Sequence, residues 1–357
     1  MSIANTSASE LIKHIHAECS RPWTLMEVCG GQTHALLRHG IDQLLPETIT
    51  LIHGPGCPVC VTALERIDQA LALARDPRVI LCTYGDMLRV PGSAGKDLLS
   101  LRASGADVRI VYSPLDVLHI ARRHAERDVV FFAVGFETTA PATALLAKQA
   151  LAAGLSNLQL LVAHVRVAPV LNELLSDPAC AVQGVLAAGH VCTVLGDAEL
   201  QNLVQQYQRP VVITGFTAEE LLEGILHCVR QLESDRYQLE NTYAKAVRSG
   251  GNPGAQILLE QVFEPVDTSW RGLGLIREGG YRLRPPYDRL VMHPGEETGV
   301  NSAAPDAEAC PSGLVLQGLL RPIDCPSFGI RCTPDAPMGA PMVSSEGACA
   351  AYYRYQR

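Results

Sequence analysis

The chain is predicted to be an α/β protein: two small doubly wound parallel-sheet domains followed by a loop-rich C-terminal domain. Three observations predict this. Short runs of β-branched and aliphatic residues recur through the middle of the chain, each followed by a Gly-rich or polar turn and then an amphipathic stretch, which is the rhythm of βα units. The composition is 47% hydrophobic but only 5% aromatic and 18% charged, as in an Ala/Leu/Val-rich enzyme core and unlike a disordered or fibrous chain. After about Asn241 the rhythm breaks, and Gly and Pro become frequent, as in Gly250-Gly251-Asn252-Pro253-Gly254 and Arg284-Pro285-Pro286.

Taken in order, Ser7-x-x-Glu10 is a capping box that opens a first helix. The apolar runs Ile49–Ile52, Val79–Leu81, Val108–Val111, Val129–Val134, Leu158–Val162, Val182–Leu186 and Val211–Ile213 suit strands buried on both faces. Leu64, Ile67, Leu71 and Ala74 fall on one helical face. Thr217-x-x-Glu220 is a second capping box, opening a helix over Ala218–Glu233. A chain of 357 residues exceeds a single core. The strand spacing divides it into units at 42–126 and 127–233, with 1–41 and 234–357 making the third.

Composition excludes several functions. Lys and Arg number 29 against 37 Asp and Glu, a net charge of −8 with no basic block, which argues against a nucleic-acid groove. The longest apolar runs, such as Val129–Val134, are far too short to span a bilayer. Met1 to Ser20 lacks the apolar region of a secretion signal. A cytoplasmic protein is expected, and there its twelve cysteines are better read as thiols, ligands or core residues than as a disulfide framework.

Four segments carry candidate chemistry. In Met26-Glu27-Val28-Cys29-Gly30-Gly31-Gln32-Thr33-His34, a cysteine precedes two glycines that let a ligand approach the backbone, and His34 supplies a titratable neighbour; the plain alternative is a Gly-rich turn with a half-buried thiol. In His53-Gly54-Pro55-Gly56-Cys57-Pro58-Val59-Cys60, a Cys-x-x-Cys pair follows a strand and leads into a helix starting near Val61. That position lowers thiol pKa values and lets Cys57 and Cys60 close a disulfide or share a metal.

The third group is the set of loops Thr83-Tyr84-Gly85-Asp86-Met87, Gly135-Phe136-Glu137-Thr138-Thr139-Ala140-Pro141 and Gly189-His190-Val191. They lie at the carboxyl ends of expected strands, where open α/β sheets bind ligands. Glu137 could act as a base or orient a thiol, although helix capping also explains the threonines, and His190 alone also fits a structural histidine. No Gly-x-Gly-x-x-Gly or P-loop pattern occurs. The fourth is the tail, with Cys310, Cys325, Cys332 and Cys349 in Pro-rich surroundings. Spacing alone leaves iron–sulfur, zinc and unrelated buried cysteines open.

Taken together, MEVCGGQTH, HGPGCPVC, TYGDMLRVPGS, GFETTAP, GHV, WRGLG and CTPDAPMGAPMVSSEGACAAYY resemble, in order and from Trp23 to the C-terminus, the HypD family of hydrogenase maturation factors. The resemblance implies a redox-active scaffold on which the Fe(CN)2CO group of [NiFe] hydrogenases is assembled. The partners would be a HypC-like small chaperone and a HypE-like cyanide donor. It implies a [4Fe–4S] cluster on Cys310, Cys325, Cys332 and Cys349, making the C-terminal unit an iron–sulfur domain. Cys29 would hold a transient iron with cyanide and carbon monoxide ligands, and Cys57 and Cys60 would be a redox dithiol. His34 and Glu137 would tune the iron site, with His190 lining the cleft. Two alternatives use the same residues: a cluster-dependent protein disulfide reductase, and a non-catalytic scaffold with a structural cluster.

Overall fold

The computed structural model describes residues 6–292 and 310–355; residues 1–5, 293–309 and 356–357 of the third expected unit lie outside them. All seven expected strands form. With two more they build two fully parallel sheets. The first contains β1 (Trp23–Glu27), β2 (Ile49–His53), β7 (Gly184–Ala188), β8 (Val211–Thr214) and β9 (Leu239–Asn241) in the order β2-β1-β7-β8-β9. The second contains β3 (Val79–Thr83), β4 (Val108–Ile110), β5 (Asp128–Gly135) and β6 (Leu158–His164) in the order β4-β3-β5-β6. The continuous apolar run of β5 is buried from Val129 to Gly135, as a strand covered on both faces requires.

The division into units differs from expectation. The boundary placed near residue 126 falls between β4 and β5, which flank β3 in one sheet. β2 pairs with β1 and not with β3, so the chain starts one sheet, leaves to build the other, and returns. The N-terminal segment, expected to join the tail, instead supplies β1, an interior strand of the first sheet. The helix α1 (Ala8–Glu18), with both bonds of its capping box in place, packs on α8 (Ala218–Glu233), whose Thr217-x-x-Glu220 box also forms. Periodicity reports strands but not partners, which is why interleaving was not legible.

The segment after Asn241 also has more to bury than expected. The helix α9 (Pro253–Val262) leads into an antiparallel hairpin of β10 (Phe263–Trp270) and β11 (Gly274–Leu283). Trp270 is 1% exposed, and its indole N–H donates to the Gly279 carbonyl at 3.0 Å. The final segment contains two short helices that pack on each other, α10 (Ala340–Val343) and α11 (Ala348–Tyr355). No helix among the described residues is long and apolar enough to cross a membrane.

Topology positions the site. In each sheet the chain order reverses once: β1 has β2 on one side and β7 on the other, and β3 has β4 and β5. Ligands of open parallel sheets sit beyond the carboxyl ends of such strands. Here the ends of β1 and β7 release Cys29 and His190, and the end of β5 releases Phe136, Glu137, Thr138 and Thr139.

Candidate functional site

Cys29 is the N-cap of α2 (Gly30–Arg38) and lines a cleft of about 370 Å³ between the two sheets. Pro58 of the Cys-x-x-Cys turn, Phe136, Thr138 and Thr139 from the second sheet, His190 and Thr193 from α7 (Gly189–Leu195), and Glu346 from the tail share this cleft. Five of the seven sequence motifs therefore converge on one space. His190 stacks on Phe216 with ring centroids 3.9 Å apart, which fixes its face against the cleft wall. Burial lowers its pKa.

Beneath Cys29 lies a buried polar network. Glu27 and His53 end the paired strands β1 and β2 in register, and His53 Nδ1 is 2.8 Å from Glu27 Oε1. Glu27 also accepts the Cys29 backbone N–H at 2.9 Å and the Thr33 hydroxyl. The two cysteine loops are stitched again through the backbone: Gly54 donates to the Glu27 carbonyl at 2.8 Å and Gly30 to the Gly56 carbonyl at 2.9 Å. A Cβ on Gly56 would sit 2.3 Å from the Cys29 nitrogen, so only glycine permits this approach. Burial, then the Glu27 charge, pushes the Cys29 thiol up to about 12. The sulfur is a protonated thiol at neutral pH until a cation or base engages it.

Cys57 and Cys60 form a disulfide, with Cα atoms 5.3 Å apart. The helix starts earlier than expected: Cys57 caps the single turn α3 (Pro58–Val61), and α4 (Leu64–Ala74) follows after a break. The pair is buried, and α3 packs against α10. On the tail side of α10, Met342 lines a second cavity together with Cys310, Cys325, Cys332 and Cys349. Burial raises the Cys349 thiol first, and Cys310, Cys332 and Cys325 each raise it further, so the other three sulfurs lie close enough to act on it. The Met338 N–H points at Cys332 Sγ at 3.4 Å. Four cysteines on one largely apolar cavity, with a backbone N–H directed at sulfur, are a donor set suited to an iron–sulfur cluster. No group of three or more His, Cys, Asp or Glu among the described residues stands ready as a single-ion site.

The remaining candidates have other neighbours. His34 points to the tail: its Nδ1 lies 3.4 Å from the Ser345 carbonyl and its Nε2 3.1 Å from the Tyr355 hydroxyl. Glu137 is fully buried, its Oε1 accepting the N–H of Val167, the first residue of α6 (Val167–Ser176), at 2.9 Å, and burial raises its pKa to about 7. It does not line the Cys29 cleft. The Thr83–Met87 loop clamps the tail: Asp86 accepts the Ser344 hydroxyl at 3.0 Å, and nearby Arg89 donates to the Pro334 and Val343 carbonyls, each at 3.1 Å. Cys82, Cys192 and Cys228 are buried, while Cys19 and Cys180 are half-exposed.

Sequence reasoning passed over Glu27, His53 and Glu346. The signal for the first two was available: an ionisable residue closes each of two apolar strands immediately before a cysteine motif. Glu346 reaches the cleft only because the tail folds back, which no local pattern reveals.

The family model described as HypD, hydrogenase formation hypA family, matches residues 6–356. The chain belongs to the HypD family. It is 45% identical over 350 residues to the hydrogenase maturation factor HypD of Rhizobium leguminosarum bv. viciae, covering 96% of this chain and 90% of that protein. The HypD of Rhodobacter capsulatus is 43% identical over 354 residues, covering 97% and 93%. The HypD of Escherichia coli (strain K12) is 43% identical over 350 residues, covering 98% and 93%. The family assignment thus spans both sheets, the cleft and the four-cysteine tail.

Proposed function

We propose that this chain is a [NiFe] hydrogenase maturation factor that serves as a redox-active scaffold for assembly of the Fe(CN)2CO group. The observation that carries the reading is the layered arrangement of sulfur: Cys29 in an open cleft, the Cys57–Cys60 pair beside it, and four tail cysteines around one cavity across α10. The substrate iron binds Cys29 together with a cysteine of a HypC-like small chaperone docked over the cleft. A HypE-like partner presents cyanide as a thiocyanate on its own cysteine.

Release of that cyanide needs two electrons. In the reduced state Cys57 and Cys60 supply them: the partner's S–CN bond breaks, the partner leaves as a thiol, cyanide binds iron, one proton is released, and the pair closes to the disulfide. The two thiol protons and two electrons balance the step. Cys310, Cys325, Cys332 and Cys349 would hold a [4Fe–4S] cluster, which when bound supplies single electrons from an external donor. The protein's own contribution is geometric. Glu27 and the Gly56 contact hold Cys29 against the Cys-x-x-Cys turn, at the mouth of a cleft that both sheets line.

The test has two parts. Anaerobic purification should yield about four iron and four acid-labile sulfide per chain, lost when Cys325 or Cys349 becomes alanine; zinc in their place overturns the cluster assignment. Incubation with the two partners should give infrared bands of iron-bound cyanide in wild type and none in Cys29→Ala. Reduction of generic disulfide proteins that survives Cys29→Ala, without such bands, would establish the reductase instead.

A further inference from the structure

The cleft has two kinds of wall. Val28, Phe136, Ala188, Val191 and Val194 are apolar, whereas Thr138 and Thr139 present adjacent hydroxyls from the turn that leaves β5. No Lys or Arg lines the cleft. The Thr138 hydroxyl has no hydrogen-bond partner among the described residues, and that of Thr139 makes only a long contact of 3.3 Å with the Phe136 carbonyl. Neither serves the helix that follows: α5 (Ala140–Ala152) has Thr139 at its N-cap with no side-chain capping bond. The capping expected of these threonines is therefore not met, and two hydroxyl-bearing side chains, Thr138 exposed and Thr139 half-buried, are left on the wall of the cleft that Cys29 lines. By contrast, the Thr193 hydroxyl already donates to the His190 carbonyl at 2.6 Å.

The two diatomic ligands of the cargo differ in what they ask of a wall. The nitrogen of an iron-bound cyanide carries negative charge and is a good hydrogen-bond acceptor; the oxygen of bound carbon monoxide is a poor one. A hydrogen bond to the charged cyanide nitrogen is stronger than one between neutral groups. An unpaired polar wall beside an apolar one therefore sorts them.

Resting on the assembly function above, we propose that Thr138 and Thr139 are specificity-determining residues that hydrogen-bond the cyanide ligands of the iron carried on Cys29, leaving carbon monoxide to the apolar wall. The hydroxyls orient the cargo about the Cys29–iron axis. They also withdraw charge through cyanide, which reduces back-donation from iron to carbon monoxide.

Infrared spectra of the chain loaded in complex with its two partners test this directly. Thr138→Val with Thr139→Val preserves shape and removes both donors, and the bands are read on whatever fraction loads. The cyanide bands should be displaced and the carbon monoxide band should move to lower wavenumber. Thr138→Ser with Thr139→Ser, which keeps the hydroxyls, should restore the wild-type positions. Bands that stay at wild-type positions in the valine variant overturn the assignment while leaving the assembly function intact. Absence of cyanide bands from the wild-type complex overturns the assembly function and this assignment with it.

Discussion

Replacing Glu27 by glutamine keeps the side chain's shape but takes one acceptor from a carboxyl group that serves three donors. Those donors are the Cys29 N–H at 2.9 Å, the Thr33 hydroxyl and His53 Nδ1 at 2.8 Å, around a residue with no exposed surface. If the new NH2 turns to the Cys29 N–H, two donors meet; turned the other way it faces the Thr33 hydroxyl and His53 Nδ1. Thr33 then has a fallback in the Cys29 carbonyl at 3.4 Å, and His53 accepts from the amide once its ring proton moves to the unpartnered Nε2. The variant therefore loses the charge-assisted strength of these bonds, about 1–3 kcal/mol. At roughly 2 °C per kcal/mol for a chain of this size, Tm falls by about 2–6 °C. A second effect has its own readout. Burial is the first cause of the high Cys29 pKa and the Glu27 charge the second, so the variant's thiol should titrate lower. Alkylation at Cys29 between pH 8 and pH 9, followed by peptide mass spectrometry, should then be faster, by roughly three- to fourfold for each unit the pKa falls, because the tenfold gain in thiolate is partly offset by its lower nucleophilicity. Circular dichroism gives the Tm. An unchanged Tm together with unchanged Cys29 alkylation would refute the claim that Glu27 organises this site.

Gly56→Ala drives a Cβ to within 2.3 Å of the Cys29 nitrogen, so soluble yield or iron binding should collapse, whereas Gly85→Ala, whose Cβ meets nothing closer than 3.9 Å, should be tolerated. Glu137 has a folded pKa of about 7 against 4.5 for the free side chain. The folded state therefore holds its proton more tightly, and stability falls as pH rises from about 4.5 to 7, by about 3 kcal/mol. Urea titrations at pH 5 and pH 8 should show Glu137→Gln gaining on wild type at the higher pH; parallel losses would contradict the burial argument. Cys57→Ser leaves no dithiol, so cyanide transfer to iron should be lost, and full loading of this variant in the infrared assay would eliminate the two-electron role.

Much of the secondary structure was legible because burial leaves a periodic trace. The seven runs became strands, and both capping boxes formed with their reciprocal bonds. The hairpin of β10 and β11 was not legible: the burial of Phe263 and Trp270 sits among Gly, Pro and charged residues that read as loop. Of the candidate residues, Cys29 and His190 were found because they follow strand ends, and they do share a cleft. His34 lies only five residues from Cys29, yet its ring meets Tyr355, because position on a helix does not reveal what packs against it.

By itself the order of residues determined which segments bury themselves and which thiols stand at strand ends, since hydrophobic period, capping and turn chemistry act over a few neighbouring residues. Only the tertiary structure decided that the chain leaves one sheet to build another and then returns, that Glu27 and His53 lie beneath two cysteine loops, and that the tail folds back to bring Glu346 to the cleft and four sulfurs to one cavity. Those contacts join residues up to hundreds of positions apart. Their formation depends on shape and burial summed over the whole molecule, which no local pattern records.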